Sequence, residues 1–321
     1  MPIVASHFKP AWWLKNPHLQ TIWPTLFRLR PTLSLQQQRV ELDDGDFIDL
    51  SWSGPLDAPV VLILHGLEGS IDSPYAFGLI NTLTSAGYRS CFMHFRSCSK
   101  EPNRLPRGYH SGETNDLQFI VNNIKASINS HLHAIIGYSL GGNVLLKWLG
   151  EQDRSNDLHS AIAISVPFKL AHAGQRMETG ISRLYQKHLV SSLIKKFRQK
   201  QKQHPTLAQI ELDKIKTFYE FDDSVTAKVH GFESADDYYQ KCSCDGYLKF
   251  IQQPTLIIHA KDDPFMWQDT SPPESRISAT TTLELSSKGG HAGFISGTIP
   301  WRPVYWHEQR ILSWLKEVRP Q

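Results

Sequence analysis

The sequence predicts an α/β protein, a mostly parallel, doubly wound sheet with a helical segment inserted into it. Three observations carry that prediction. Strand-like apolar runs alternate with helical stretches of about 10–15 residues, the pattern of βαβ units. The alternation stops near residue 168 and resumes near residue 254. Between two such units, the pentapeptide Gly137-Tyr138-Ser139-Leu140-Gly141 joins a strand to a helix through a turn so tight that its flanking positions leave no room for a Cβ.

The elements follow in chain order. Leu33–Leu42 and Phe47–Trp52 alternate polar and apolar residues around Asp44-Gly45, which predicts an antiparallel pair. Pro59-Val60-Val61-Leu62-Ile63-Leu64 is apolar throughout, as a strand covered on both faces must be. A helix is expected over Ser73–Ala86, closed by Gly87, then a strand over Tyr88–Phe95 and a helix over Glu113–Ser127. His133–Ile136 is the strand before the pentapeptide, Leu140–Leu149 the helix after it, and Ala161–Val166 the next strand. Residues 168–250 lack strand-like runs and read as a helical cap within a single domain spanning residues 1–321. On one helical face of that segment lie Val190, Leu193, Ile194 and Phe197. Pro254–His259 and Thr280–Leu285 resume the sheet, and Val304–Val318 closes the chain as a helix.

The composition narrows the function. Net charge is +3 over 321 residues, too little to argue for nucleic acid, and no basic run is interleaved with stacking aromatics. Four cysteines do not make a disulfide scaffold, and Cys242-Ser243-Cys244 lacks C-x-x-C spacing, so reduced thiols and a cytoplasmic location are expected. The aromatic-rich first thirty residues are broken by Lys9, Pro10, Lys15 and Pro17, which fits neither a signal peptide nor a spanning helix. Any lipid contact is expected to be peripheral.

A serine hydroxyl is a poor nucleophile until a base takes its proton, and the base needs an orienting acid. In a doubly wound sheet the loops at the carboxyl ends of strands converge on one crevice. The loop after the strand at 254–259 carries Lys261-Asp262-Asp263-Pro264, and the loop after 280–285 carries Gly289-Gly290-His291. Ser, then Asp, then His is the chain order of an α/β-hydrolase fold. Ser139 is therefore expected as nucleophile, His291 as general base and acid, and Asp263 as the acid that holds the imidazole. Asp262 competes for that last role; Pro264 and strand alternation favour Asp263. The backbone N–H groups of Leu67 and Leu140 are the expected oxyanion hole. This chemistry calls for no metal and no cofactor, and its partner is a small-molecule ester. Acyl transfer to an alcohol would use the same residues, and a non-catalytic binding protein on a hydrolase scaffold is the more distant alternative.

Other residues have blander readings. His65 is expected to shape the oxyanion loop. His131 and His133 share a strand face without a nearby acid or thiol, which favours packed imidazoles over a metal site. The basic run 195–202 reads as a solvated helix face, with anionic lipid head groups as the sharper reading.

Further motifs are Asn16-Pro17-His18-Leu19-Gln20-Thr21, His65-Gly66-Leu67-Glu68-Gly69-Ser70, Phe95-Arg96-Ser97-Cys98 and Tyr109-His110-Ser111-Gly112-Glu113-Thr114. In the 168–250 segment stand Thr217-Phe218-Tyr219-Glu220-Phe221-Asp222, Gly231-Phe232 and Tyr238-Tyr239. With the serine pentapeptide, Asp262-Asp263-Pro264-Phe265 and Gly290-His291, they make the chain resemble, nearly end to end, the YheT-like esterases, the type 4 group of the AB hydrolase superfamily. The resemblance implies a carboxylic-ester hydrolase with its triad on Ser139, Asp263 and His291. It also implies relatives that act on lipid esters, including monoacylglycerols and phospholipids, some of which transfer acyl groups to alcohols. Several of those carry an N-terminal membrane anchor; this chain begins directly at the Phe8–Thr21 motif and is expected to lack one, which argues against a membrane-lipid substrate. At Ser97 the pattern leads one to expect Gly, a local backbone matter. Phe197, Phe218 and Phe221 are the expected walls of an acyl pocket.

Overall fold

Hydrophobic strands organise the molecule. The computed structural model describes residues 2–127, 132–152 and 158–318. Among the described residues nine strands form one sheet: β1 (Ile3–Ala5), β2 (Gln36–Glu41), β3 (Phe47–Ser53), β4 (Val60–Leu64), β5 (Arg89–Met93), β6 (Leu132–Tyr138), β7 (Ser160–Ile164), β8 (Thr255–Ala260) and β9 (Thr281–Ser286). Their order is β1-β9-β8-β7-β6-β4-β5-β3-β2. From β1 to β5 across the sheet every neighbour is parallel; β3 and β2 continue it antiparallel. The β2–β3 hairpin turns at Gly45, whose φ of +83° is one that glycine adopts without a Cβ clash.

The central strands β4, β6, β7 and β8 are buried on both faces, and the strand period of two sorts their side chains. Val60, Leu62 and Leu64 of β4 face one core with α3 (Thr114–Ser127) and α4 (Leu140–Glu151), while Val61 and Ile63 face the other with α2 (Pro74–Ser85). Full burial of each such side chain stabilises the fold by roughly 1.5–3 kcal/mol. The C-terminal helix α10 (Trp306–Glu317) packs Ile311 and Leu315 on the second face. It begins later than the sequence suggests. Val304 and Tyr305 form a short strand, β11, antiparallel to β10 (Ile295–Ser296).

Two N-terminal elements had no periodic signature. β1 adds to the sheet edge beside β9. α1 (Pro17–Phe27) starts where the Asn16 carboxamide accepts from the N–H groups of His18 and Leu19 at 2.9 and 3.2 Å, with Pro17 at the first helical position.

Between β7 and β8 the described residues contain helices and no strand. These are α5 (Leu170–Met177), α6 (Ser182–Gln203), α7 (Phe218–Phe221), a π-helical turn over Asp222–Thr226, α8 (Ala227–His230) and α9 (Ala235–Cys242). Val190 and Phe197 of α6 pack with Phe221 and Val225 in a small core of their own, as the helical face predicts. The basic run on the same helix does not form a uniformly solvated face. Lys200 is buried and donates to the carbonyls of Asn103, at 2.6 Å, and Leu105; that burial lowers its pKa to about 8. Lys196 turns inward to Glu68 at 2.8 Å and Cys98 Sγ at 3.2 Å. No helix among the described residues is long and apolar enough to cross a membrane.

Candidate active site

The pentapeptide forms the sharp turn its glycines require. Ser139 sits between β6 and α4 at φ +50° and ψ −116°, a conformation that costs a non-glycine residue about 1–3 kcal/mol. A Cβ at Gly137 would lie 2.4 Å from the Gly141 carbonyl oxygen, and one at Gly141 would lie 2.5 Å from that of His65. Any side chain at either position would pry the helix from the sheet. Hydrogen bonds from Ser139 N to Ile164 O (2.8 Å) and from Asn143 N to Ser139 O (3.0 Å) hold the strained backbone. The serine side chain caps no helix amide, so its hydroxyl is left for other work.

Beside it runs the loop after β4. The Gly66 N–H donates to the Tyr75 hydroxyl at 2.9 Å. Glu68, at φ +54°, donates its N–H to the Tyr109 hydroxyl at 2.7 Å. The fully buried His65 bonds the loop through Nδ1 to Gly66 O at 2.7 Å and accepts the Phe95 N–H at Nε2 (3.1 Å). Burial lowers its pKa to about 3, so it is a neutral strut rather than a proton carrier. The Leu67 amide has no partner among the described residues. Leu140 opens α4, where a helix's leading amides lack internal acceptors.

The histidine loop is held by groups far away in sequence. His291 Nδ1 lies 2.8 Å from Asp263 Oδ2, and the Asp263 carboxylate also accepts the Phe265 N–H at 2.8 Å. Phe265 stacks on the imidazole, with centroids 4.0 Å apart and planes within 9°. Asp262 does something else: its Oδ1 accepts the Gly290 N–H at 3.0 Å, and burial raises its pKa. The His291 N–H donates to Thr21 Oγ1 at 2.9 Å, and the Ala292 N–H donates to Ser165 Oγ at 2.9 Å. Gln20 is wholly buried, donating to the carbonyls of Leu14 and Ile295 and accepting the Ile295 N–H at 2.7 Å. The N-terminal motif is thus a clamp on the histidine loop. Its sequence signal was the Asn16-Pro17 helix start; nothing local pointed to the partner 270 residues on.

Ser139, His291, Leu67 and Leu140 line one cavity of about 140 Å³. Its walls are largely apolar and come from the segment between β7 and β8, among them Met177, Leu189, Phe218 and Phe221. Phe197 is elsewhere, lining a smaller neighbouring cavity of about 70 Å³ behind Tyr109 and Phe221. One carboxyl stands in the main cavity wall: Asp222, pushed up to about 6 by burial, with the Thr226 and Tyr239 hydroxyls on its oxygens at 2.7 and 2.8 Å. Ser97 has φ +60°, the backbone for which a glycine is best suited.

Metal-binding groupings are few among the described residues. His110, Glu113 and His230 bring ligand-type atoms within 4.8 Å of one another. Their hydrogen bonding opposes that use: His110 Nδ1 accepts the Gly112 N–H at 3.1 Å, which puts the ring proton on Nε2, and Arg107 is paired with the Glu113 carboxylate. His131 lies outside the described residues. His133 is packed in β6, its ring 5.4 Å from that of Tyr88.

A parallel sheet whose serine elbow, acidic loop and histidine loop open on one cavity defines the class of the alpha/beta hydrolases. The family model described as alpha/beta hydrolase fold matches residues 59–298, and the chain belongs to that family. Within it, the chain is 42% identical over 318 residues to the protein named "Putative esterase YheT" of Escherichia coli, covering 97% of this chain and 93% of the relative. The resemblance read from the motifs is thereby borne out. It is also 28% identical to "Phospholipase ABHD3" of Mus musculus, over 95% of this chain and 77% of that one. Among solved structures, the Pyrococcus furiosus esterase Pf2001 superposes with a TM-score of 0.56 over 98% of both chains; at 17% identity, that likeness speaks for the fold alone.

Proposed function

We propose that this carboxylic ester hydrolase works through an acyl-enzyme on Ser139, with His291 as general base and acid and Asp263 as its orienting partner. The observation that carries the reading is the 2.8 Å contact between His291 Nδ1 and Asp263 Oδ2 on the wall of the cavity that Ser139 also lines. A carboxylate on Nδ1 keeps the proton there and leaves the Nε2 lone pair to accept the serine proton. Ser139 Oγ then attacks the ester carbonyl, and the Leu67 and Leu140 amides stabilise the oxyanion. Collapse breaks the C–O bond to the alcohol, which leaves with the proton from Nε2. A water activated by the same nitrogen attacks the acyl-enzyme and releases the acid. Loss of activity from the purified protein in Ser139→Ala, across a graded series of acyl esters and acylglycerols, tests the assignment. Product analysis in mixed water and alcohol separates hydrolysis from acyl transfer.

The proposed substrates are short- to medium-chain acyl esters or acylglycerols, and residues 168–250 act as the cap that walls the acyl chain. Each methylene in contact with that wall is worth about 0.8 kcal/mol, or about fourfold in rate. Phe221→Ala is accordingly expected to change the ratio of octanoyl to acetyl ester turnover by about fourfold or more. Equal losses on both esters would remove the cap from the pocket.

Support for the histidine loop is expected to come from the N-terminal clamp. Thr21→Val keeps the shape and deletes the acceptor for the His291 N–H, a loss of about 1 kcal/mol or more. Turnover should fall by about fivefold with KM for a small ester nearly unchanged. Wild-type turnover in this variant would relieve Thr21 of that role.

A further inference from the structure

The first forty residues hold five cations, Lys9, Lys15, Arg28, Arg30 and Arg39, and no carboxylate. They also carry much of the exposed apolar surface. Leu26 and Phe27 of α1 are 63% and 58% exposed, and Leu29, just after it, is 90% exposed. Trp301 is 81% exposed, and with Phe27 and Leu29 it lines one open groove. Trp12, 66% exposed, donates its indole N–H to Thr298 O at 3.0 Å, which fixes it beside the same 297–303 loop. Exposed apolar surface gathered in this way on a soluble fold marks a binding face.

We propose that α1 and the 297–303 loop form a docking face for an anionic lipid surface. Charge selects that occupant. Arg28 is paired with Glu308 at 2.6 Å and Arg30 with Asp72 at 3.1 Å, but Lys9, Lys15 and Arg302 form no ion pair among the described residues. A second copy docked about a two-fold axis would set these cations against themselves. An anionic bilayer accepts the cations at its head groups and the indole and aliphatic side chains at the acyl boundary. At 11 residues α1 is too short to span a bilayer, which takes about 20. The face adjoins the site: His18 of α1 meets the Tyr185 hydroxyl at 3.2 Å, and the Tyr185 ring lies 5.1 Å from that of Phe265, which stacks on His291. The basic run on α6, the sharper lipid reading from sequence, is the rival surface, and it has turned Lys196 and Lys200 inward.

The test is co-sedimentation of the full chain with vesicles of phosphatidylcholine alone and of phosphatidylcholine with phosphatidylserine, at low and high salt. Binding is expected to the anionic vesicles, to weaken with salt, and to be lost in the double variant Leu29→Glu, Trp301→Ala. Lys15→Gln and Arg302→Gln should each weaken it by about fivefold. Turnover of a water-soluble ester by all these variants should match the wild type, which shows them folded. Because Ser139→Ala should bind the vesicles equally well, docking is scored independently of catalysis. Equal affinity for both vesicles, no binding to either, or loss of binding in Lys195→Gln, Lys202→Gln with the α1 variants unaffected would overturn the proposal. So would a dimer in sedimentation velocity that Leu29→Glu dissociates.

Discussion

Ser139→Ala is expected to lower ester turnover by a factor of about 10⁴–10⁶, which is what loss of the nucleophile costs where binding and oxyanion stabilisation survive. The fold should be untouched. Ser139 caps no helix amide, and alanine keeps the Cβ and therefore the strained φ of +50°. The wild type should gain the mass of a fluorophosphonate adduct on a peptide containing residue 139, and the variant should gain none. Ser139→Gly supplies an independent check on the geometry. Glycine occupies positive φ without a Cβ clash, so this variant should be more thermostable than Ser139→Ala by about 1 kcal/mol while equally inactive. Turnover by Ser139→Ala within tenfold of the wild type, on any ester it cleaves, would end the acyl-enzyme assignment.

The second large effect separates two adjacent carboxylates. Asp263→Asn should reduce turnover by about 10⁴, because an asparagine can offer N–H to His291 Nδ1 and stabilise the tautomer whose Nε2 proton faces the serine. Asp262→Asn should cost less than about tenfold. Its Oδ1 needs only to accept the Gly290 N–H, an amide oxygen does that equally well, and burial already disfavours the charge at this position. Both variants should remain folded and retain the elbow. The reverse ranking would move the orienting role to Asp262.

The arrangement of the rest of the molecule accounts for how these few atoms are kept in place. Arg96, almost wholly buried, makes a bidentate pair with Asp116, both N···O distances being 2.7 Å, and reaches Asp46 at 3.2 Å. It fixes the turn after β5 that supports His65, and His65 fixes the turn after β4. On the other side, the Asn143 carboxamide donates to Ser111 O and Cys242 O, both at 2.8 Å, and accepts the Cys244 N–H at 2.9 Å. Asn143 stands four residues past Ser139. It therefore ties the elbow helix to the Tyr109–Thr114 motif and to α9 at once. The Phe95–Cys98 and Tyr109–Thr114 motifs thus act as fasteners of the turns around Ser139.

What the chain determines locally could be read from it directly. The parallel sheet follows from short apolar strands alternating with helices, and the elbow follows from glycine spacing, because a Cβ within 3 Å of backbone is forbidden whatever surrounds it. The order of Ser139, Asp263 and His291 pointed to one crevice because strand carboxyl ends share one side of a parallel sheet. Tertiary structure alone decided the remainder. Lysine at 196 or 200 is a solvated residue by pattern. Lys200 becomes buried, and Lys196 turns inward, only because the carbonyls of Asn103 and Leu105 and the Glu68 carboxylate, roughly a hundred residues distant, offer hydrogen bonds and a charge in place of water. Phe197 shares a helical face with Leu189 and Leu193, which line the main cavity, yet it stands a turn further along α6, about 6 Å on from Leu193, and lines the next cavity instead. Thr21 and His291 carry no mutual signal, since a hydrogen bond between a helix and a loop at opposite ends of the chain leaves no period in either. Periodicity records which face of an element is covered; what covers it is set by packing among segments that meet only once the chain has folded.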